Sequence, residues 1–537
     1  MFVDIAPPGG WFVRGFGWGF ARLVFRLACC CDRKQRKNPN NGRKRAGQLK
    51  LRNPISMGNL LPTSSLRTAR TFGKRKRGSD DTEDDEQDAQ RAAAPKRKKL
   101  MTTSQYIYRT LFLEGQNSDV TIVALGVDWC LHKVYLCQSP YFASMFCGSW
   151  KEREEGIVEV GIEDPRVTCE ALKIVFGSLY LDEIVIDPEN AIPVLATATL
   201  FQLDELIQLC SETMEETIKL DTVLPYHEVA EQYALAHLGS KCLEWLERNL
   251  MFLVNDSADT LRQIGPDLMQ RLVASPSLVV VQTEFSLYLL LSIWAYLREH
   301  ACWKGDQKEA CQQAHKYFKE REQSGSFVAS LEGEEYAGAF EALRIEHLIN
   351  HPLDVEMLEL DNIISKESLY PVFRNQWYSM LKVDQGLDKG PKSINEDEFN
   401  RCCLRCGRIL NTDAQHIWRW TGYNFGVDLI VTYQGRSIKF RRNDRSEPDV
   451  LRSAVVGGRR HLLYRLAVFS VGPNGDAHPL ASTGLRSATL ARNAETKVLT
   501  IEKEFKFPLI ISANFLVTTP LSTSAASEAT AAELSRS

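Results

Sequence analysis

The stretch Asp128–Glu152, DWCLHKVYLCQSPYFASMFCGSWKE, brings three cysteines, a histidine, three serines and two tryptophans close together. Such a run reads as an active site, a metal site or a surface for another protein, and its local pattern favours recognition. Ser139 before Pro140 is a helix start, because the hydroxyl accepts a free backbone N–H and proline presets φ at the first helical position. Phe142, Met145 and Phe146 then face a core. His132 has no acid or nucleophile at a recognisable spacing, so it reads as a hydrogen-bonded structural histidine rather than a general base. Cys130, Cys137 and Cys147 read as small buried hydrophobes. Trp150-Lys-Glu152, an aromatic residue and a carboxylate beyond the helix, is left over for a partner.

Outward from this run the patterning divides the chain. Residues 119–125 (DVTIVAL) read as a strand, Ile157-Val-Glu-Val-Gly-Ile162 alternates, and 194–210 repeats at helical spacing with Leu203, Leu206, Ile207 and Cys210 on one face. Residues 105–215 are therefore a mixed α/β unit. Residues 216–381 read as successive helices, one with Leu238, Cys242, Trp245 and Leu246 on its apolar side. The run 285–297 (FSLYLLLSIWAYL) is a buried core helix, too short for the about 20 residues a membrane span needs. From 382 to 520 the period becomes two. Val427, Leu429, Val431 and Tyr433 alternate, Gln434-Gly435 turns, and Ser437 to Arg441 returns as a hairpin. Leu462 to Val468 and Val498 to Phe505 add strands, with Pro473-Asn-Gly475 as another turn. The expected fold class is multidomain α+β: an α/β unit, an all-α region and a mainly-β domain, with disorder over 1–104 and 521–537.

Global composition excludes little. The 537 residues are 44% apolar and 25% charged with a formal net charge of -3, ordinary for soluble globular chains. The 14 cysteines show no regular pairing, which fits reduced thiols in a cytosolic or nuclear protein. Local charge says more. Lys74, Arg75, Lys76 and Arg77, and again Lys96, Arg97, Lys98 and Lys99, flank an acidic block from Asp80 to Asp88. Two exposed basic clusters in an unfolded segment suit nuclear import; no aromatic residues interleave to stack on bases, so no nucleic acid is expected. The leader WFVRGFGWGFARLVFRLACCC reads as a disordered leader or as an interfacial helix with Cys29, Cys30 and Cys31 as acylation candidates, and membrane contact is expected only through such N-terminal anchoring.

At this point a resemblance becomes specific. Ser118-Asp-Val-Thr-Ile122, Leu131-His-Lys-Val-Tyr-Leu136, Ser139-Pro-Tyr-Phe142, Met145-Phe146, Ile157 to Ile162 and Phe176-Gly-Ser-Leu-Tyr180 resemble, in order, the core signature of a BTB domain. The helices that follow, with Cys242-Leu-Glu-Trp245 and Trp294, resemble the BACK region of cullin-3 adaptors. Trp377, Cys406-Gly-Arg408 and Ile417-Trp-Arg-Trp-Thr-Gly-Tyr-Asn-Phe-Gly426 resemble the C-terminal region of the germ cell-less family, so the likeness runs from about residue 74 to 516. The resemblance implies a substrate adaptor of a cullin-3 ubiquitin ligase, with nuclear or nuclear-envelope (or nuclear-matrix) residence and a role in germ-cell formation or spermatogenesis. It implies cullin-3 contacts at Trp150 and Glu152, against an ordinary exposed loop there, a homodimer with Asp119 as a dimer-zone candidate, against a capping or turn residue, and a protein client. Nuclear-envelope proteins are further candidate partners, and a nuclear scaffold without a ligase is the alternative.

Other sites are weighed on their residues. Trp418, Arg419, Trp420, Tyr423 and Phe425 are client-binding candidates if exposed, and core aromatics otherwise. Initiation at Met57 would expose Gly58 for N-myristoylation, although Pro62 occupies the preferred hydroxyl position. His227-Glu-Val-Ala-Glu231 has Glu231 where a zinc-protease helix needs its second histidine, and Cys403 with Cys406, near Cys402 and His416, lacks a second CxxC pair. No catalytic residue, metal or cofactor is expected.

Overall fold

A computed structural model gives the fold and describes residues 102–147, 156–321, 325–384, 390–391, 394–422, 427–442, 459–472, 477–491 and 494–518. The two basic clusters (Lys74 to Arg77, Lys96 to Lys99), Gly58, the leader, Trp150, Glu152, Tyr423, Phe425, the 473–475 turn and the 521–537 tail lie outside the described residues.

The α/β unit opens inside the stretch expected to be disordered. Helix α1 (Thr103–Ile107) starts on a capping box, with Thr102 and Gln105 each satisfying the other's backbone N–H. Strands β1 (Val120–Ala124) and β2 (Val127–Leu131) form a hairpin whose two-residue turn, Leu125 and Gly126, takes positive φ at both positions. That is the turn geometry that matches strand twist. Strand β3 (Ile157–Val160) lies parallel to β1, giving the order β2-β1-β3. Cys130, expected to be buried, is exposed. It lies on an edge strand whose alternate residues Trp129 and Leu131 turn inward.

Helices α2 (Lys133–Leu136), α3 (Pro140–Cys147), α4 (Cys169–Ser178), α5 (Ala191–Leu200) and α6 (Asp204–Glu216) complete the unit. The single helix expected over 194–210 is two. Gln202 adopts φ 55 and the Leu203 N–H returns to the Ala198 carbonyl at 2.9 Å, which closes α5. The bend seats Phe201 between Phe142 and Phe176, with ring centroids 5.0 and 5.3 Å away. The apolar side expected for α6 survives the break, with Leu206 and Cys210 buried.

The helical region comprises α7 (Val223–Gln232), α8 (Ala236–Asp256), α9 (Ala258–Gln263), α10 (Pro266–Ala274), α11 (Glu284–Glu299), α12 (Gln307–Glu320), α13 (Ala337–Glu341), α14 (Pro352–Asp361) and α15 (Lys366–Asp384). Leu238, Cys242 and Leu246 of α8 are fully buried, as their spacing predicts. Helix α11 is buried on every side from Glu284 to Leu297, so an apolar run without a polar face becomes the axis of the region. One hydrophobic core runs from Phe112 to Val372, through both the α/β unit and these helices.

After α16 (Glu396–Cys402) come β4 (Leu404–Leu410), β5 (His416–Gly422), β6 (Val427–Gln434), β7 (Ser437–Arg442), β8 (Arg459–Val471), β9 (Ala477–Ser482), β10 (Arg486–Ala491), β11 (Glu495–Thr500) and β12 (Leu509–Thr518). One sheet has the order β10-β8-β12-β4 with β9 also on β8; the other is β11-β7-β6-β5. Their inner faces share a core, and the outer face of the first sheet packs on the helices through Val279, Phe469, Ala477 and Ile510. The β6–β7 turn falls one residue later than expected, on Gly435 and Arg436, both at positive φ. Strand β11 ends at Thr500 rather than reaching Phe505, because the Ile501 N–H leaves the ladder for the Arg436 carbonyl at 2.9 Å.

Candidate interaction surfaces

The residues around His132 form a fixed corner. Its backbone N–H donates to the Tyr180 hydroxyl at 3.1 Å, Nδ1 lies 3.1 Å from the same oxygen, and Nε2 is 2.9 Å from the Gln116 carbonyl. Both ring nitrogens are thus engaged, and burial pushes the Tyr180 phenol up to about 12, so the hydroxyl stays protonated and the corner is held by hydrogen bonds. Asp119 is exposed, and its Oδ1 accepts the Lys133 N–H at 2.8 Å, capping α2. Ser139 anchors the next helix. Its Oγ donates to the Phe201 carbonyl at 2.6 Å and accepts the Phe142 N–H at 3.4 Å, tying the start of α3 to the α5–α6 bend. Phe142 and Phe146 are buried along this helix, whose described part ends at Cys147, three residues before Trp150 in sequence.

In the C-terminal domain two of the client candidates require correction. Trp418 and Trp420 are each 1% exposed. They alternate on β5 with the inward register Trp418–Val431–Phe440, their rings sit 5.5 Å apart, and Trp420 reaches Phe515 of the opposite sheet at 6.0 Å. They fill the sandwich and cannot form a client surface. Arg419 has the opposite parity; half-buried, it sits across from Ile430, and Ile430 across from Arg441, on the outer face.

The junction between helices and sandwich carries a polar cluster that sequence reasoning missed. Arg405 of β4 is 1% exposed and Glu284 at the start of α11 is 0% exposed. Arg405 Nε donates to Glu284 Oε2 at 3.0 Å, Nη2 donates to Oε1, and Nη1 donates to the Val273 carbonyl at 2.7 Å. The Arg344 N–H adds a bond to Glu284 Oε1 at 2.9 Å, while Arg344 Nη1 donates to the Cys403 carbonyl at 2.7 Å. Burial works to raise the Glu284 carboxyl, but the Arg405 charge and hydrogen bonds, helped by Arg344, hold it below its ordinary value. Gly407 completes the joint. It exchanges backbone hydrogen bonds with Gln282 at 3.0 and 3.4 Å, and a Cβ there would lie 2.2 Å from the Val280 carbonyl oxygen. The signal was faint: one acid opening an apolar helix and one arginine inside a buried strand, 121 residues apart.

The cysteine and histidine leads are not brought together. Cys403 Sγ accepts from Arg344 Nη1 at 3.0 Å, Cys406 is buried, and burial raises both thiols, which disfavours the thiolate a metal needs. Cys402 is exposed, and His416 Nε2 is spent on the Thr412 carbonyl at 2.9 Å. His227 Nε2 lies 3.7 Å from Glu231 Oε1, with burial lowering its proton affinity. Among the described residues, no three His, Cys, Asp or Glu side chains converge as a metal site. No helix among them is long and apolar enough to cross a membrane.

Comparison with known proteins adds the relatives. Residues 108–218 match the BTB/POZ domain family. The chain is 40% identical to "Germ cell-less protein-like 1" of Homo sapiens over 427 residues, covering 79% of this chain and 82% of the relative. It is 38% identical to "Protein germ cell-less" of Drosophila melanogaster over 494 residues, covering 86% of each. Against "Germ cell-less protein-like 2" of Mus musculus it is 33% identical over 425 residues, covering 78% and 84%.

Proposed function

This chain belongs to the germ cell-less family of BTB-domain proteins, and from that premise we propose that it is a non-catalytic substrate adaptor of a cullin-3 ubiquitin ligase. The observation that carries the reading is the BTB/POZ unit in which Ser139 anchors α3 just ahead of Trp150 and Glu152. In BTB adaptors an apolar residue and a glutamate, spaced as here, insert into the cullin. An aromatic anchor buries much area for few rotatable bonds, and a carboxylate fixes register through a charged hydrogen bond. The BTB unit pairs with a second copy, with Asp119 placed in the dimer zone beside its capping role. The helices set the spacing, and the sandwich end of the chain holds the client, with Arg419 rather than the tryptophans as a contact.

Ubiquitin transfer is then accelerated by proximity, since the adaptor raises the effective concentration of client lysines near the charged carrier enzyme. No side chain of this protein enters the reaction. Lys74 to Arg77 and Lys96 to Lys99 direct the protein to the nucleus, the nuclear envelope being the family's expected address. Germ-cell development is the expected setting. Acylation at Gly58 supplies the membrane contact when translation begins at Met57; absence of myristate on protein starting there removes that part.

Co-purification with cullin-3 tests the reading. The intact chain retains cullin-3, and the Trp150→Ala/Glu152→Ala variant loses it while remaining a dimer. Equal recovery with the variant removes the contact assignment. No recovery with the intact chain, with dimer and nuclear partners kept, replaces the ligase by a scaffold.

A further inference from the structure

Helix α15 packs on the body with one face and leaves the other bare. Leu369, Val372 and Gln376 are buried, Phe373 packs against the core, and Gln376 Nε2 donates to the Glu346 and Ile349 carbonyls, each at 3.3 Å, which fixes the rotation of the helix. On the opposite side Tyr370 is 67%, Trp377 65% and Leu381 42% exposed, with Arg374, also exposed, between the first two. At about 100° per residue, Tyr370, Arg374, Trp377 and Leu381 fall within about 60° of one another and form one stripe about 16 Å long. Tyr378, 57% exposed, borders it. Single apolar residues are ordinary on a protein surface, whereas large aromatic side chains aligned along one helix mark a contact surface.

The stripe is symmetric in its spacing. Its gaps are four, three and four residues, so a two-fold axis midway between Asn375 and Gln376 brings Tyr370 opposite Leu381 of a second copy and Arg374 opposite Trp377. We propose that this face binds the same face of a second copy as two antiparallel α15 helices, the Arg374 guanidinium of each lying over the Trp377 ring of the other. Lys366 and Glu367 lie beyond the outermost pairing and oppose none of these four residues. The contact is weak on its own. Tyr370, Trp377, Tyr378 and Leu381 together offer on the order of 450 Å² per copy, half of what each partner of a stable complex buries, and the two Arg374 charges near the axis repel. A dimer formed by the α/β units carries two such stripes, so joining stripes between dimers makes tetramers and longer chains through alternating two-fold axes. On the adaptor reading, such a particle gathers several clients.

Sedimentation velocity of the full chain over about 1 to 100 µM tests this. The wild type should grow from dimers to tetramers and larger species as concentration rises. Trp377→Glu should stop at the dimer, weakening the added step by about tenfold or more, and Trp377→Phe should keep most of it. Arg374→Glu should also weaken it, because the ring face that attracts a guanidinium repels a carboxylate. These positions are exposed, so the melting temperature and cullin-3 recovery should stay unchanged in every variant. If the wild type remains a monomer, if its largest species is a dimer that Trp377→Glu leaves intact, or if larger species persist in that variant, the proposal is overturned and the stripe belongs to a different partner. A monomer–dimer equilibrium that Trp377→Glu dissolves would keep the α15 contact and remove only the dimer of the α/β units. Loss of cullin-3 recovery by the intact chain bears on the ligase reading alone.

Discussion

Glu284 and Arg405 are the most consequential pair of side chains in the chain. A charge with 0–1% exposure persists only with a partner that replaces its water, and here the partners come from α11, β4 and Arg344 together. Arg405→Met should cost about 3–5 kcal/mol in urea unfolding, because it strands a buried carboxylate, and Glu284→Met added to it should restore part of that loss. The pair also sets a pH dependence. Its folded carboxyl lies below the ordinary 4.5, so its contribution is whole above about pH 4.5 and is lost as pH falls through the folded value. The stability gap between wild type and Glu284→Gln should therefore stay level between about pH 8 and pH 5 and shrink below about pH 4.5. A gap that widened in acid would contradict this sign. Nothing in a single sequence joins positions 121 residues apart, which is why this pair was not legible, whereas His132 was: its lack of a nearby acid already marked it as structural.

At the scale of elements, legibility followed how local the cause was. Ser139-Pro140 announced α3, and the absence of any polar face along 285–297 announced a helix buried on all sides. Ser139→Ala should cost about 1–2 kcal/mol, since it removes the cap and leaves the Phe201 carbonyl without its buried donor. Thermal melts with a shift indistinguishable from wild type would contradict that. The break at Gln202 was invisible because a left-handed glutamine has no signature in composition; Phe201 packing holds it there. Alternation along Ile417-Trp-Arg-Trp420 did show that both tryptophans share a face. It did not show that a second sheet covers that face; the core shared with that sheet, where Phe515 of β12 meets Trp420, is what turns them from surface to core.

For the whole molecule, the three regions form a connected body. The α/β unit and helices share one core, and the sandwich is joined to the helices by the buried ion pair, by the Gln282–Gly407 bridge and by a cluster around Val279 and Ile510. The helical region and the sandwich should therefore unfold in one transition, and Arg405→Met should split it or lower it as a unit. Hydrogen exchange showing β8 and β12 opening far more readily than α11 in the wild type would contradict that coupling. On the adaptor reading proposed above, such rigidity presents a client held on a fixed arm at a fixed distance from the ligase. Calorimetric titration of the dimer with the N-terminal region of cullin-3 examines this reading at its base. Saturable binding that weakens by about tenfold or more in Trp150→Ala/Glu152→Ala, with the dimer unchanged by light scattering, is the predicted result. A well-folded dimer that takes up no cullin-3, or a variant that binds as tightly as wild type, would contradict it.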